Sequence, residues 1–288
     1  MTDIASITYG GQTFTSNGSP KLKAIDGLDG WAGASPVYAL VGNHGAIPGP
    51  GYAEHKEFQL LFQLIGSDQA SLNTQRALLR SVFNPRGEVA LGLEEETLTI
   101  AWPGWPPVQI DCRVSSRESD LGAHSPLMSI RMVASDPTLY SQTLTSTVLS
   151  VFVGAGGLSY NVTYNKDYGA SGSGTSTFIP NTGDWETWPR FEIAGPTTGT
   201  LLPTSIENTT TGKSIIFSSL SIPSGSTLVI ETHPARRTVR FTDGVSRWNT
   251  VAGAEWWPIN AGGANLVFRA TGDTAGSSCT VKTRSAYL

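Results

Sequence analysis

The second half of the chain is a series of short apolar runs about ten residues apart, each bounded by glycine, proline or a polar turn. FEIAG (191–195), KSIIFSSL (213–220), STLVIETH (226–233), RTVRFTDGVSR (237–247), NLVFRA (265–270) and SCTVKTR (278–284) all have this form. Runs this short with residues alternating along them fit strands with one buried face, and their spacing predicts a β-sandwich. Asp243-Gly244 between two such runs predicts a tight hairpin turn. The 32 glycines and 17 prolines support many turns and few helices, because glycine is costly inside a helix.

The first half alternates as well. HKEFQLLFQLIG (55–66) places Phe58, Leu60, Phe62 and Leu64 on one face, with Gln59 and Gln63 opposite. The next stretch, SDQASLNTQRALLRSVFNP (67–85), changes period. Ser67 or Asp68 can cap a helix carrying Leu72, Leu79, Val82 and Phe83 on one side, and Asn84-Pro85 stops it. ETLTIAW sets Leu98, Ile100 and Trp102 in step, and VQIDCRV does the same with Val108, Ile110, Cys112 and Val114. PGWPP makes a stiff turn between them, and SPLMSIRMVASDPTLY continues the pattern to Asp136-Pro137. After about residue 141 the helical signal ends and Thr, Ser and Gly dominate. The strand-rich stretch TLTSTVLSVFVGAGGLSYNV (143–162) reads as a crossing between two domains, 1–141 and 142–288. The expected fold is mostly β: an N-terminal antiparallel sandwich or split barrel with one short helix, then a C-terminal β-sandwich.

Chemistry is sparse in this pattern. The four histidines (His44, His55, His124, His233) lack metal-ligand spacing, and Cys112 and Cys279 are far apart with no partner motif, so two ordinary buried or half-buried thiols are expected. Gly42–Gly51 has the glycines of a phosphate loop without the Lys-Ser/Thr or the helix behind it, and reads as a long loop. Glu94, Glu95 and Glu96 read as a solvated turn or a charged strand edge. No G-x-S-x-G elbow occurs. A net charge of -4 without a long basic run gives no reason to expect a nucleic-acid or anionic-membrane partner. The start MTDIASITYGG does not read as a secretory signal, and no apolar window is long enough to span a membrane. The expectation is a non-enzymatic chain without cofactor or metal, made in a reducing cytoplasm.

NTGDWETWPRFEI (181–193) is the densest aromatic and acidic cluster. Trp185 and Trp188 can stack on a sugar, or cap one end of a sandwich core. Trp248 and the adjacent Trp256 and Trp257 pose the same choice, and strand alternation lets at most one of that adjacent pair face the core. These five tryptophans are the candidate interface or glycan-facing aromatics. A carbohydrate-binding module using Trp185, Trp188 or Trp257 is one alternative reading. A glycoside hydrolase using Asp184 or Glu186 is another, and requires the two carboxylates to face one cleft.

Several longer stretches together resemble the distal tail protein family of long-tailed, non-contractile bacteriophages, also called phage tail components or minor tail proteins. They are NTGDWETWPRFEIAGP (181–196), IENTTTGKSIIFSSLSIPSGSTLVIET (206–232), RRTVRFTDG (236–244) and WWPINAGGANLVF (256–268). In the first half, the Asp26-Gly27 to Gly33 segment, the 55–65 strand, the helix, and the close from Ala134-Ser135-Asp136-Pro137 to Tyr140 fall where the family has them. The resemblance implies a virion protein at the distal end of the tail, made in the host cytoplasm. It implies a homo-hexameric ring formed mainly by the first domain, joining the tail tube protein to the tail-tip hub protein, with DNA passing through the channel. It also implies a peripheral, galectin-like second domain that in some members contacts receptor-binding proteins.

Overall fold

A computed structural model describes residues 6–30, 32–34, 37–39, 46–48, 52–84, 95–120, 126–152, 176–272 and 274–288. His44, His124, Glu94 and, apart from 46–48, the Gly42–Gly51 loop lie outside the described residues. The chain divides into two compact units between Gln142 and Thr143.

The first unit opens with β1 (Ser6–Tyr9), β2 (Gln12–Thr15) and β3 (Lys21–Asp26). The short strands β4 (Ala32–Ala34), β5 (Val37–Ala39) and β6 (Ala46–Pro48) lead to the long β7 (Tyr52–Gln63). The helix α1 (Gln69–Val82) follows, then β8 (Glu96–Ala101), β9 (Val108–Asp120), β10 (Leu127–Ala134) and β11 (Leu139–Ser141). One antiparallel sheet runs β2-β1-β8-β9-β10-β7-β3, with β4 added on β7 and β11 on β9, while β5 and β6 form a separate hairpin. Ser116 pairs with Arg131 but Val114 with Met132, so Ser115 is an extra residue in β9. Such a bulge bends a strand, and the pairings of β3 and β4 with β7 shift register as well; the sheet curls into a half-barrel.

Period-two burial follows the sequence. Phe58, Leu60 and Phe62 of β7, Leu98 and Ile100 of β8, and Met128, Ile130 and Met132 of β10 are all buried. The in-step series end sooner than their sequences suggest, since Trp102 falls beyond β8 and Val114 sits at the bulge, both only half-buried. Helix α1 covers this core. Asp68 caps it by accepting from the Ser71 amide at 2.7 Å, and Phe83 closes it through its amide to Leu79 O at 2.9 Å. The Phe83 ring then stacks on Tyr9 at 5.1 Å and packs against Phe14 and Phe62. Fully burying side chains of this size contributes about 1.5–3 kcal/mol each. Gln75 is a buried polar residue on the helix's core-facing side: its amide accepts from Ile65 N at 3.0 Å and donates to Ile65 O, tying the helix to the segment after β7. Glu95 is also more than a solvated charge, because its carboxylate accepts from the Ser135 amide at 2.6 Å.

The second unit begins with β12 (Thr145–Leu149), β13 (Val151–Phe152), β14 (Thr177–Ile179), β15 (Arg190–Ala194) and β16 (Thr200–Asn208). Then come β17 (Lys213–Phe217), β18 (Ile222–Pro223), β19 (Thr227–Glu231), β20 (Thr238–Phe241) and β21 (Val251–Ala254). It ends with β22 (Ala264–Gly272), β23 (Ser278–Thr283) and β24 (Ala286–Tyr287). One sheet is antiparallel in the order β12-β23-β15-β19-β20; the other runs β13-β22-β16-β17-β21 with β14 and β18 at its margins. Phe191, Ile193, Leu228, Ile230 and Val281 of the first sheet share one core with Ile206, Ile215, Leu266 and Phe268 of the second. That shared core makes the unit a β-sandwich. Strand β16 has no clean apolar run because Pro203 interrupts it, and its pairing with β22 shifts between Pro203 and Ser205.

At Asp243-Gly244 the chain reverses tightly. Gly244 adopts φ +92°, a conformation that disfavours any side chain, and Phe241 N donates to Val245 O at 2.9 Å. The returning arm is an isolated bridge from Ser246 to Arg240 rather than a second strand. Cys112 and Cys279 are both buried free thiols, and burial pushes each thiol pKa up, which keeps it protonated.

Candidate functional site

The corner 181–189 is built around one side chain. Asn181 is 1% exposed, and its amide nitrogen donates to Trp185 O at 2.7 Å and to Ile259 O at 3.1 Å. Its amide oxygen accepts from Gly183 N and Ala286 N, both at 3.2 Å. All the hydrogen-bonding capacity that a buried asparagine needs is therefore used locally. Isolated bridges Trp185–Ala286 and Thr187–Ile259 hold the two sides of the corner. Gly183 is required by space: a Cβ there would lie 1.8 Å from Ala286 O.

This architecture fixes what the acidic pair can do. Asp184 is exposed and Glu186 half-buried. Burial pushes the Glu186 carboxyl pKa up, with Lys213 pulling it the other way. Neither residue lines the cavity described below. Trp185 is 39% exposed at the surface of the corner, while Trp188 is half-buried with its ring edge-on to His233 at 6.3 Å. Of the adjacent pair, Trp257 is the core member, 1% exposed and edge-on to Phe191 at 5.8 Å. Trp256 packs at the core margin and stacks in parallel on Trp248 at 5.5 Å, leaving Trp248 47% exposed.

Charge collects on the outer face of the β12-β23-β15-β19-β20 sheet. Strand register places Arg190 between Lys282 and Glu231, and Val229 between Glu192 and Arg240. Glu192 is clamped from both sides, by Lys282 at 2.8 Å and Arg190 at 3.1 Å. Beyond β19 the loop to β20 is held by its own backbone. The buried Thr232 hydroxyl donates to Pro189 O at 2.6 Å, Arg236 N donates to His233 O, and Arg237 Nε donates to Thr232 O at 3.4 Å. The His233 Nδ1 accepts from Ala235 N at 3.3 Å. The result is an open cavity of about 660 Å³ whose charged lining is Arg190, Glu231, Arg236, Arg237 and Arg240. Burial raises the Glu231 pKa, although Arg190, Arg236, His233 and Arg240 all oppose that shift. Arg237 also extends over the Trp256 ring at 5.4 Å, which joins the cavity to the Trp256–Trp248 stack.

Sequence reasoning singled out the neighbouring tryptophans and did not single out the arginines that line this cavity. Arg190 and Arg240 are fifty positions apart and meet only through the β15-β19-β20 register. The RR pair at 236–237 was the one readable trace. Among the described residues, no group of three or more His, Cys, Asp or Glu side chains could hold a metal ion, and no helix is long and apolar enough to cross a membrane.

A curled sheet with one covering helix, followed by a β-sandwich, is a fold this chain shares with a solved phage protein. The chain is similar over nearly its whole length to the Dit protein (gp 19.1) of phage SPP1, described as a paradigm of hub adsorption apparatus in phages infecting Gram-positive bacteria. That match has 11% sequence identity and a TM-score of 0.68, and it covers 98% of this chain and 99% of that one. Chains of the phage p2 baseplate in its activated conformation also match, at 12% identity. With Ca the TM-score is 0.49, covering 98% of both chains; with Sr it is 0.48, covering 97% of both. No family model matches the chain, and no curated protein sequence matches it.

Proposed function

We propose that this chain is a distal tail protein: a structural component of the phage tail tip that joins the tail tube to the tip hub. The carrying observation is the end-to-end likeness to SPP1 Dit, in which both units match with almost nothing left over on either side. In this reading the first unit, 1–141, forms a homo-hexameric ring and the second, 142–288, is peripheral. The tube protein sits on one face of the ring and the hub protein on the other. DNA passes through the channel without specific recognition, to which the net charge of -4 offers no strong attraction. Receptor-binding proteins are further partners of the peripheral unit. The location is the distal end of the virion tail, after synthesis in the host cytoplasm.

Ring formation needs two different, complementary faces on each copy, since a head-to-tail interface closes when its rotation divides the circle. The work is positional, and no turnover is required. Negative-stain images of the purified chain, alone and mixed with its tube protein, test this. Six-fold rings with a central opening are the expected result; single, unassociated particles in both samples would overturn it.

A further inference from the structure

We propose that Asn17 is a site of spontaneous chemical modification, where the fold leaves the chain free to convert a side-chain amide into a carboxylate with water as the co-reactant. This goes beyond the tail-tip reading and does not depend on it, so either can fail alone.

Three observations carry it. The first is the neighbour. Asn17-Gly18 is the single Asn-Gly pair in the chain. Glycine has no Cβ to shield its backbone nitrogen or to restrict the backbone around it. The second is the setting. Asn17 is exposed in the turn between β2 and β3, and its side chain makes no hydrogen bond among the described residues. The Gly18 amide donates to Thr15 O at 3.3 Å, longer than the usual range for such a bond.

The third is the contrast with the other described asparagines. Asn73 lies inside α1 and Asn265 inside β22, where regular pairing fixes the backbone. Asn84 precedes Pro85, whose ring nitrogen carries no hydrogen to lose. Asn181 and Asn208 are buried, and their side-chain oxygens accept from backbone amides. Asn249 precedes Thr250, whose amide is held by Arg247 O at 3.0 Å. Asn260 is exposed, but the next residue, Ala261, carries a Cβ that crowds its nitrogen.

The chemistry balances without a cofactor. Gly18 N loses its proton and attacks Asn17 Cγ, which closes a succinimide ring. The Cγ–Nδ2 bond breaks, and Nδ2 leaves as ammonia, carrying the proton that Gly18 gave up. Water then opens the ring. Cleavage at Cγ yields aspartate, and cleavage at the Asn17 backbone carbonyl yields isoaspartate. Either product adds one negative charge to a chain at -4. Isoaspartate also inserts a methylene into the main chain of the β2–β3 turn. Because the attacking nitrogen must be deprotonated, the reaction quickens as pH rises.

Peptide mapping by mass spectrometry tests this on the full chain, held folded in mildly alkaline buffer and sampled over days. The tryptic peptide ending at Lys21 should gain the mass difference between a hydroxyl and an amino group, and split into two isomers. Conversion should be at least about tenfold faster than at Asn260, a barrier lower by about 1.4 kcal/mol. Gly18→Ala should slow it by about tenfold or more. An added Cβ there meets the Thr15 hydroxyl first, at 3.0 Å, and that side chain can turn aside, so the variant should fold. The urea-unfolded chain is the reference. An unchanged mass at position 17 in the folded chain would overturn the inference, and conversion in urea alone would trace the protection to the turn. Equal rates at Asn17 and Asn260, or a Gly18→Ala variant converting as fast as wild type, would overturn it too.

Discussion

Asn181 carries more of the second unit than either tryptophan beside it. Four hydrogen bonds converge on its buried amide, two on each end, from the 183–185 turn, the Ile259 segment and Ala286. Asn181→Ala removes all four bonds, leaving Ile259 O only its bond from Thr187 N, and should cost about 2–4 kcal/mol in denaturant unfolding of the second unit. Asn181→Asp should be at least as damaging, because it replaces the amide donor facing two carbonyl oxygens with a carboxylate oxygen that can only accept. Equal stability of wild type and both variants would show that the corner is not anchored there. Glu231 makes a prediction of the opposite sign. Its folded pKa is raised, so the protonated form is favoured in the fold. The stability it supplies is fully present below the unfolded carboxylate range and is lost as pH rises through its folded pKa. Glu231→Gln should therefore raise the melting temperature at neutral pH relative to wild type. The difference should vanish in acid, as thermal melts across pH 3–8 would show.

Among the elements, α1 and the strands were the most legible parts of the sequence. Their periods differ plainly, and Asp68 announces the start of the helix. Asp68→Ala should cost about 1 kcal/mol of first-unit stability by removing the bond to Ser71 N. Gln75→Ala should cost at least as much, about 1–2 kcal/mol, since it removes the partner of Ile65 N and leaves Ile65 O only the Ser19 hydroxyl at 3.2 Å. Chemical denaturation followed by the circular dichroism of the helix compares the two. The elements that stayed hidden each break a local rule for a tertiary reason. Gln75 is polar at a core position because it satisfies backbone groups of another element. Strand β16 contains a proline at an irregularity in its pairing with β22. Strand parity does not apply to the adjacent tryptophans, which lie beyond β21; Trp257 enters the core against Phe191 while Trp256 packs at its margin on Trp248. The cationic cavity was illegible because its arginines belong to two strands and a loop and are brought together only by register.

At the scale of the whole molecule, the fold is an end-to-end counterpart of the SPP1 Dit protein at 11% identity. What survives at that distance is the fold over nearly the whole of both chains. The residues of a ring interface need not be recognisable from pattern, because an interface surface is about as apolar as any other. Assembly is then the central claim, and native mass spectrometry of the purified full-length chain, alone and with its tube protein, addresses it most directly. The account predicts a species of six copies of the 30.5 kDa chain in at least one of the two samples. A monomer persisting in both would contradict it.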